Sequence, residues 1–232
     1  MIVVTAYDSC YRAMRNGTAG RDIPRWAYDI LGAVAQHRTS IVGVRHPLGF
    51  VCLPIERISE AGVCVHVWSE HLTRASLTTS AVHAHSWDLI SYVLYGSVRN
   101  EIIDVVDAPE NAAYRVFEVR SSKGIDELRK TPRLVRSEVR ATELKSPGDM
   151  YSLPAGVFHT TVIHGEAATV ALGSGRRGMM NFSLGEINTT THRIRRQRCD
   201  HDETAHAARV VIEWLARTCT LDREDRWDAR RP

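Results

Sequence analysis

The chain has 232 residues, of which 44% are hydrophobic, a size and composition typical of one globular domain with a sizeable core. Its 30 basic and 27 acidic residues give a net charge of +3, which is too small to predict a surface for nucleic acid or anionic lipid. No stretch approaches the ~18 apolar residues of a membrane span, and the first residues do not resemble a signal peptide. The sequence therefore predicts a cytoplasmic protein that binds neither nucleic acid nor membrane.

Cysteine usage supports the same location. The five cysteines are odd in number, scattered, and form no C-x-x-C pair, which argues against a disulfide framework and against a thiolate zinc site. They are Cys10, Cys52, Cys64, Cys199 and Cys219.

The first forty residues are predicted to be mostly helical. Asp22 is a candidate N-cap, with Pro24 in the first turn that follows. Apolar residues then recur at helical spacing, at Trp26, Ile30, Leu31, Val34 and Ala35. We expect a helical N-terminal extension, residues 1–40, that lies against a β-rich region.

Short β-type runs separated by turn residues occupy most of residues 41–185. The candidate strands are 41–44, 50–55, 63–68, 89–95, 101–106, 114–119, 157–164 and 167–172. Many short strands at this spacing predict a sandwich or barrel. Residues 121–140 are polar and rich in Lys and Arg, so we predict a long or mobile loop there.

The last part, residues 186–232, is predicted to be a tail with one amphipathic helix over residues 203–217. A basic run precedes that helix, at Arg193, Arg195, Arg196 and Arg198. Because acidic residues follow at once, we interpret the run as a solvated, internally paired surface segment rather than a nucleic-acid patch.

Two histidine motifs carry the chemistry. His83 and His85 are two residues apart, so on a strand both imidazoles point to one face, whereas Asp88 points to the other. Residues 148–159 have the spacing G-x5-P-x-G-x2-H and end at His159. Three histidines held by rigid strands suit a divalent transition metal.

The pairing of H-x-H with a later G-x5-P-x-G-x2-H resembles the two motifs of the cupin superfamily, and residues 83–96 (HAHSWDLISYVLYG) keep the closing glycine. More narrowly, H-x-H-x-W-D resembles a little-characterised bacterial cupin group, in which segments like residues 46–50 and 65–68 precede the motif. The resemblance implies a mainly β fold, a cupin-type double-stranded β-helix (jelly-roll barrel), here with N-terminal and C-terminal helices. It also implies a metal in the barrel mouth and allows a homodimer.

Two positions depart from the cupin pattern. Leu77 stands where a glycine is expected, and Leu89 and Ile90 stand where a glutamate ligand usually follows. Asp88 could replace that carboxylate only through a bulge, against its strand parity. The resulting three-His site resembles those of cysteine-dioxygenase-type and diketone-dioxygenase cupins, although the cysteine that thiol dioxygenases carry just after H-x-H is absent.

Three neutral ligands leave a divalent metal its full charge and open positions. We therefore expect a mononuclear metal-dependent enzyme, an Fe(II)-dependent oxygenase acting on a small polar metabolite. The alternatives are a non-redox isomerase, lyase or hydrolase with Zn, Mn or Ni, and a non-catalytic small-ligand-binding cupin. The predicted pocket consists of Trp87, Ser91, Tyr151, Thr161, Arg99 and His66, although the aromatic residues could be plain core and Arg99 could simply pair with Glu101.

Overall fold

The computed structural model describes residues 4–218, so Cys219 lies outside the described residues. Three helices are present in this range: α1 (Ala6–Arg15), α2 (Ala19–Ala35) and α3 (His201–Thr218). The strands are β1 (Val44–His46), β2 (Phe50–Ile58), β3 (Ala61–Trp68), β4 (His83–Ala84), β5 (Trp87–Tyr95), β6 (Val98–Asp107), β7 (Tyr114–Ser122), β8 (Ile125–Lys145), β9 (Met150–Leu153), β10 (His159–Ile163), β11 (Ala167–Gly175), β12 (Asn181–Gly185), β13 (His192–Arg195) and β14 (Gln197–Arg198).

These strands form two antiparallel sheets of seven strands each. The first has the order β14-β1-β2-β3-β11-β5-β9, and the second has the order β13-β8-β6-β10-β4-β12-β7. The long β8 also pairs with β7, which curls the second sheet round on itself. Two antiparallel sheets, preceded and followed in the chain by helices, confirm the predicted mainly β, cupin-type double-stranded β-helix.

The three helices cover the outer face of the first sheet. Alternate residues of β2 and β3, such as Leu53 and Val65, share a core with Leu31 of α2 and Val211 of α3. The next residues along each strand point the other way, into the barrel. Burying one Val or Leu side chain contributes roughly 1.5–3 kcal/mol, so this core holds the helices to the barrel. The boundaries at residues 40 and 185 stay a prediction.

The N-terminal helical prediction needs two corrections. Two helices are present rather than one, and Asp22 is not an N-cap, because its backbone N–H already donates to the Thr18 carbonyl at 3.0 Å. Helix α2 therefore begins at Ala19, before Asp22, and Pro24 lies inside it. The first strand also begins later than predicted, at Val44. The Gly43 N–H donates a hydrogen bond to the Thr204 hydroxyl of α3, and the Gly43 carbonyl accepts one from the Cys199 N–H.

The prediction of a loop over residues 121–140 is wrong. A tight turn with positive φ at Lys123 and Gly124 leads into β8, whose 21 residues pair with β7, then with β6. Pro132 lies where the register against β7 shifts, a bulge in which its missing N–H removes no ladder bond. Most side chains of β8 are exposed, so the strand is stabilised mainly by its backbone pairing with the neighbouring strands.

The basic run lies on β13, β14 and the connection between them. Arg193 pairs with Glu127 at 2.9 Å, and Arg196 pairs with Asp126 at 2.8 Å. Two of the four arginines are therefore paired, but with carboxylates of β8 rather than with the acidic residues that follow the run. The C-terminal amphipathic helix is confirmed as α3. Within residues 4–218, no helix combines the length and the apolar character needed to cross a membrane.

Candidate metal centre

The three predicted histidines come together inside the barrel. His83 on β4 lies directly opposite His159 on β10 in the antiparallel register, and His85 follows His83 on the same face. The ring centroid of His83 is 4.3 Å from that of His159 and 4.7 Å from that of His85. One ring nitrogen from each residue lies within 4.8 Å of the others, which makes a potential three-His metal site.

Backbone carbonyls fix the tautomer of two of the rings and so decide which ring nitrogen is free to bind a metal. The Nδ1 of His83 lies 2.9 Å from the Ala81 oxygen, and the Nδ1 of His159 lies 3.0 Å from the Val157 oxygen. Because a carbonyl only accepts, each Nδ1 must donate, so each Nε2 lone pair is left for a metal. His85 is held differently, by stacking on Trp87 at 4.1 Å between ring centroids.

Burial keeps all three imidazoles neutral at neutral pH. Burial, with the neighbouring His159, lowers the pKa of His83 to about 3, and burial lowers the pKa of His85 well below its usual range. Burial likewise lowers the pKa of His159. Neutral imidazoles are the protonation state that binds a metal, so the donor set fits a divalent transition ion.

These shifts predict acid sensitivity of the metal-free protein. The usual histidine pKa is 6.5, and the pKa of His83 in the folded protein is about 3. Between these two pH values the unfolded chain binds a proton at His83 that the folded chain does not. Stability is therefore full above pH 6.5 and falls as the pH drops, by up to ~1.4 kcal/mol per pH unit for each such histidine. Urea denaturation at several pH values checks this, with His83→Gln expected to give a shallower decline. A free energy of unfolding independent of pH in this window would contradict it.

Asp88 joins the two motif halves without approaching the metal site. Its carboxylate accepts a hydrogen bond from the Ala155 N–H at 2.9 Å and one from Arg176 Nε at 2.6 Å. The Gly156 N–H donates in turn to the His85 carbonyl at 2.8 Å, and Gly156 has a positive φ of 82°. The Pro-Ala-Gly turn before His159 is thus tied to the strand that follows the H-x-H pair.

Replacement of Asp88 tests whether it contributes a ligand. Asp88→Asn keeps the shape of the side chain but weakens its bonds to Ala155 and Arg176, so we expect a loss of about 1 kcal/mol in unfolding free energy because the ion pair is partly exposed. The metal content per chain should not change. Metal analysis and urea denaturation measure the two effects, and a variant that folds but no longer retains metal would contradict this expectation.

Four of the predicted pocket residues face the barrel interior with the histidines. Trp87 stacks on His85, and Tyr151 is buried in the interior core that also holds Leu89. Ser91 is buried and lies opposite Tyr151 in the register of β5 with β9. Thr161 follows His159 on the same face of β10. Leu89, at one of the two positions of the usual glutamate, makes the wall here apolar.

The other two predicted pocket residues are not members of the three-His cluster. Arg99 is on the opposite face of β6 and pairs with Glu101 at 3.3 Å, so it does not reach the histidines. His66 faces the interior from the first sheet, where it joins Cys52 and Cys64 rather than the three histidines. Both positions depend on the register of strands that are distant in sequence.

Sequence reasoning missed Asn100. It is buried at 1% exposure on the inward face of β6, and its Oδ1 accepts a hydrogen bond from Thr161 at 3.0 Å. Its side chain also lies beside the buried Tyr151 hydroxyl. The alternation Val98, Asn100, Ile102 was the available signal, because a polar residue in that series must face the interior.

No family model matches the chain, and no curated protein matches it. Similar solved structures include a cupin-2 domain containing protein from Shewanella frigidimarina, at 13% identity and a TM-score of 0.30 over 54% of this chain and 79% of that one. KdgF from Halomonas sp. has 14% identity and a TM-score of 0.31 over 56% and 82%. Hydroquinone 1,2-dioxygenase PnpCD, solved with Cd²⁺ and 4-hydroxybenzonitrile, has 15% identity and a TM-score of 0.36 over 66% and 76%. At these values the likenesses carry no argument about activity, and the cupin-type fold rests on the strand pairing above.

Proposed function

We propose that this cupin-type chain is a mononuclear metal-dependent enzyme, an Fe(II)-dependent oxygenase that acts on a small polar metabolite. The observation that carries the proposal is the convergence of three neutral imidazoles, from His83, His85 and His159, with no carboxylate in the cluster within residues 4–218. Imidazole ligands suit Fe, Zn and Ni, and three of them leave coordination positions open.

The charge of the site favours an anionic or bidentate substrate. Because all three ligands are neutral, a bound divalent ion keeps its full charge, and a substrate carboxylate or enolate would compensate it. When bound, Fe(II) would supply one-electron and dioxygen chemistry, and the protein would orient the substrate and exclude water.

The residues around the histidines have positioning roles in this proposal. Trp87 covers His85 and limits access from that side. The side chains of Asn100 and Ser91 are buried polar groups beside the Tyr151 hydroxyl, and together they could bond a polar group of the substrate. The proposal also keeps the expected cytoplasmic location and a small molecule, rather than nucleic acid or membrane, as the partner.

Oxygen consumption tests the proposal directly. The protein is loaded with Fe²⁺ without oxygen, freed of excess metal and assayed with a panel of small carboxylates and diketones. We expect bound iron and substrate-dependent oxygen uptake, with His159→Ala inactive. Turnover that continues without oxygen would instead select non-redox catalysis by Zn, Mn or Ni. Tight ligand binding without any product would select a binding protein.

A further inference from the structure

A second cluster of metal-binding side chains lies on the first sheet. Cys52 on β2 is directly opposite His66 on β3, and Cys64 precedes His66 by two residues on the same face. The Cys64 Sγ is 3.2 Å from the His66 Nε2. One ligand atom from each of the three residues lies within 4.8 Å of the other two.

This cluster faces the barrel interior, as the three histidines do, but on the other sheet. Cys64 packs against the interior core that contains Leu89, and Cys52 packs beside Phe50 and Trp68. The residues that alternate with the cluster pack against the helices instead, as Val65 does. The two clusters share no residue, so each can be altered without removing a ligand of the other.

The cluster is bounded by aromatic rings. Phe50 lies on β2, between β1 with His46 and β3 with His66. Its ring contacts both imidazoles, with ring centroids 4.4 Å apart in each case. His46 therefore stacks on Phe50 and does not join the ligand set. The three ligand residues are each partly exposed rather than fully buried.

The chemistry of the donors distinguishes this cluster from the three-His site. Thiolates are soft ligands, so a site that contains them favours Zn²⁺ and Cu⁺. A single iron ion is better suited to nitrogen and oxygen ligands. Two thiolates and one neutral imidazole around Zn²⁺ have no net charge, which suits a partly buried position with apolar walls. The three-His site, in contrast, leaves the ion its full charge.

We propose that Cys52, Cys64 and His66 form a second metal site, selective for a thiophilic divalent ion such as Zn²⁺ and independent of the three-His site. Both cysteines coordinate as thiolates, so any proton that a thiol carries is released to solvent on binding, with no change of oxidation state. The expectation from the sequence, that the cysteines form no thiolate zinc site, overlooked this arrangement because Cys52 and Cys64 are not neighbours in the chain.

Cobalt substitution provides the main test, since thiolate ligands give Co²⁺ a near-ultraviolet charge-transfer band that imidazoles do not. The reduced wild-type protein should bind two Co²⁺ per chain, one for each cluster, and show the band. His159→Ala should lose one Co²⁺ and keep the band, and Cys64→Ser should lose the band and keep one Co²⁺. Cys199→Ser, at a buried cysteine outside the cluster, is the matched control and should keep both. Absence of the band in the wild-type protein would overturn the proposal. So would a band of unchanged intensity in each of the two single variants, Cys52→Ser and Cys64→Ser.

Alkylation of the wild-type protein gives a second test that requires no variant. Saturation with Zn²⁺ should slow the reaction of Cys52 and Cys64 with iodoacetamide by about tenfold or more, because a coordinated thiolate is a poorer nucleophile. The rates at Cys10 and Cys199 should not change. Mass spectrometry of the digested protein measures each cysteine separately, and equal rates with and without Zn²⁺ at Cys52 and Cys64 would refute the site whatever the activity of the three-His site.

Discussion

His159→Ala should weaken metal binding at the three-His site by roughly 100-fold or more. The substitution removes one of three nitrogen donors, and even loss of an outer partner of a metal ligand costs about 10–100-fold in affinity. His159 is also the donor that links the two motif halves, because it lies opposite His83 in the register of β4 and β10. The affinity for Fe²⁺ is measured by anaerobic competition titration in a Cys64→Ser background, so that only the three-His site is observed.

The control for this prediction is His164→Ala in the same background. His164 lies five residues beyond His159 but is exposed beside a turn, outside the cluster. It should bind Fe²⁺ as tightly as the background protein. Equal affinities in the His159→Ala and His164→Ala proteins would show that His159 is not a ligand.

Gly96→Ala should destabilise the fold by about 3–5 kcal/mol, which is among the largest effects of a single substitution. Gly96 follows the last residue of β5 and has a φ of 74°, a conformation that costs an alanine roughly 1–2 kcal/mol. An added Cβ would also collide with the Glu166 carbonyl and lie 2.7 Å from the Cα of Ala167. Neither backbone can easily retreat, because the Glu166 side chain is bonded to Ser69 and to Trp214.

Gly178→Ala is the matched control for Gly96→Ala. Gly178 has a similar φ of 80°, but an added Cβ would meet no atom within 4 Å. Its cost should be limited to backbone strain, roughly 1–2 kcal/mol. Urea denaturation measures both variants, and equal losses of stability would show that the close approach of Gly96 to Glu166 is unimportant.

The three-His cluster could be predicted because its information is local. Two histidines at a spacing of two share a strand face, and the Pro-Ala-Gly turn fixes where the strand of His159 begins. The outward direction of Asp88 followed from the same parity, and its carboxylate indeed bonds Ala155 and Arg176. The cupin-type fold followed from these motifs together with many short strands.

Features that depend on register or on exposed pairing could not be predicted. Residues 125–145 form a strand whose side chains are mostly exposed, so the hydrophobic alternation that identifies a strand is missing. The residues around His66 could not be predicted either, because the pairing of Cys52 with His66 depends on the register of β2 with β3. Asp22 was a reasonable cap by residue type, but the helix begins earlier, at Ala19, with Thr18 in the N-cap position.

The central claim is that His83, His85 and His159 hold one divalent metal without a carboxylate. Crystals of protein loaded with Fe²⁺ under anaerobic conditions, measured at the iron absorption edge, test it most directly. The account predicts one anomalous peak bonded to these three histidines, with the Nε2 atoms of His83 and His159 as ligands and with positions left open. A peak coordinated by Asp88, or no peak between the three rings, would contradict it.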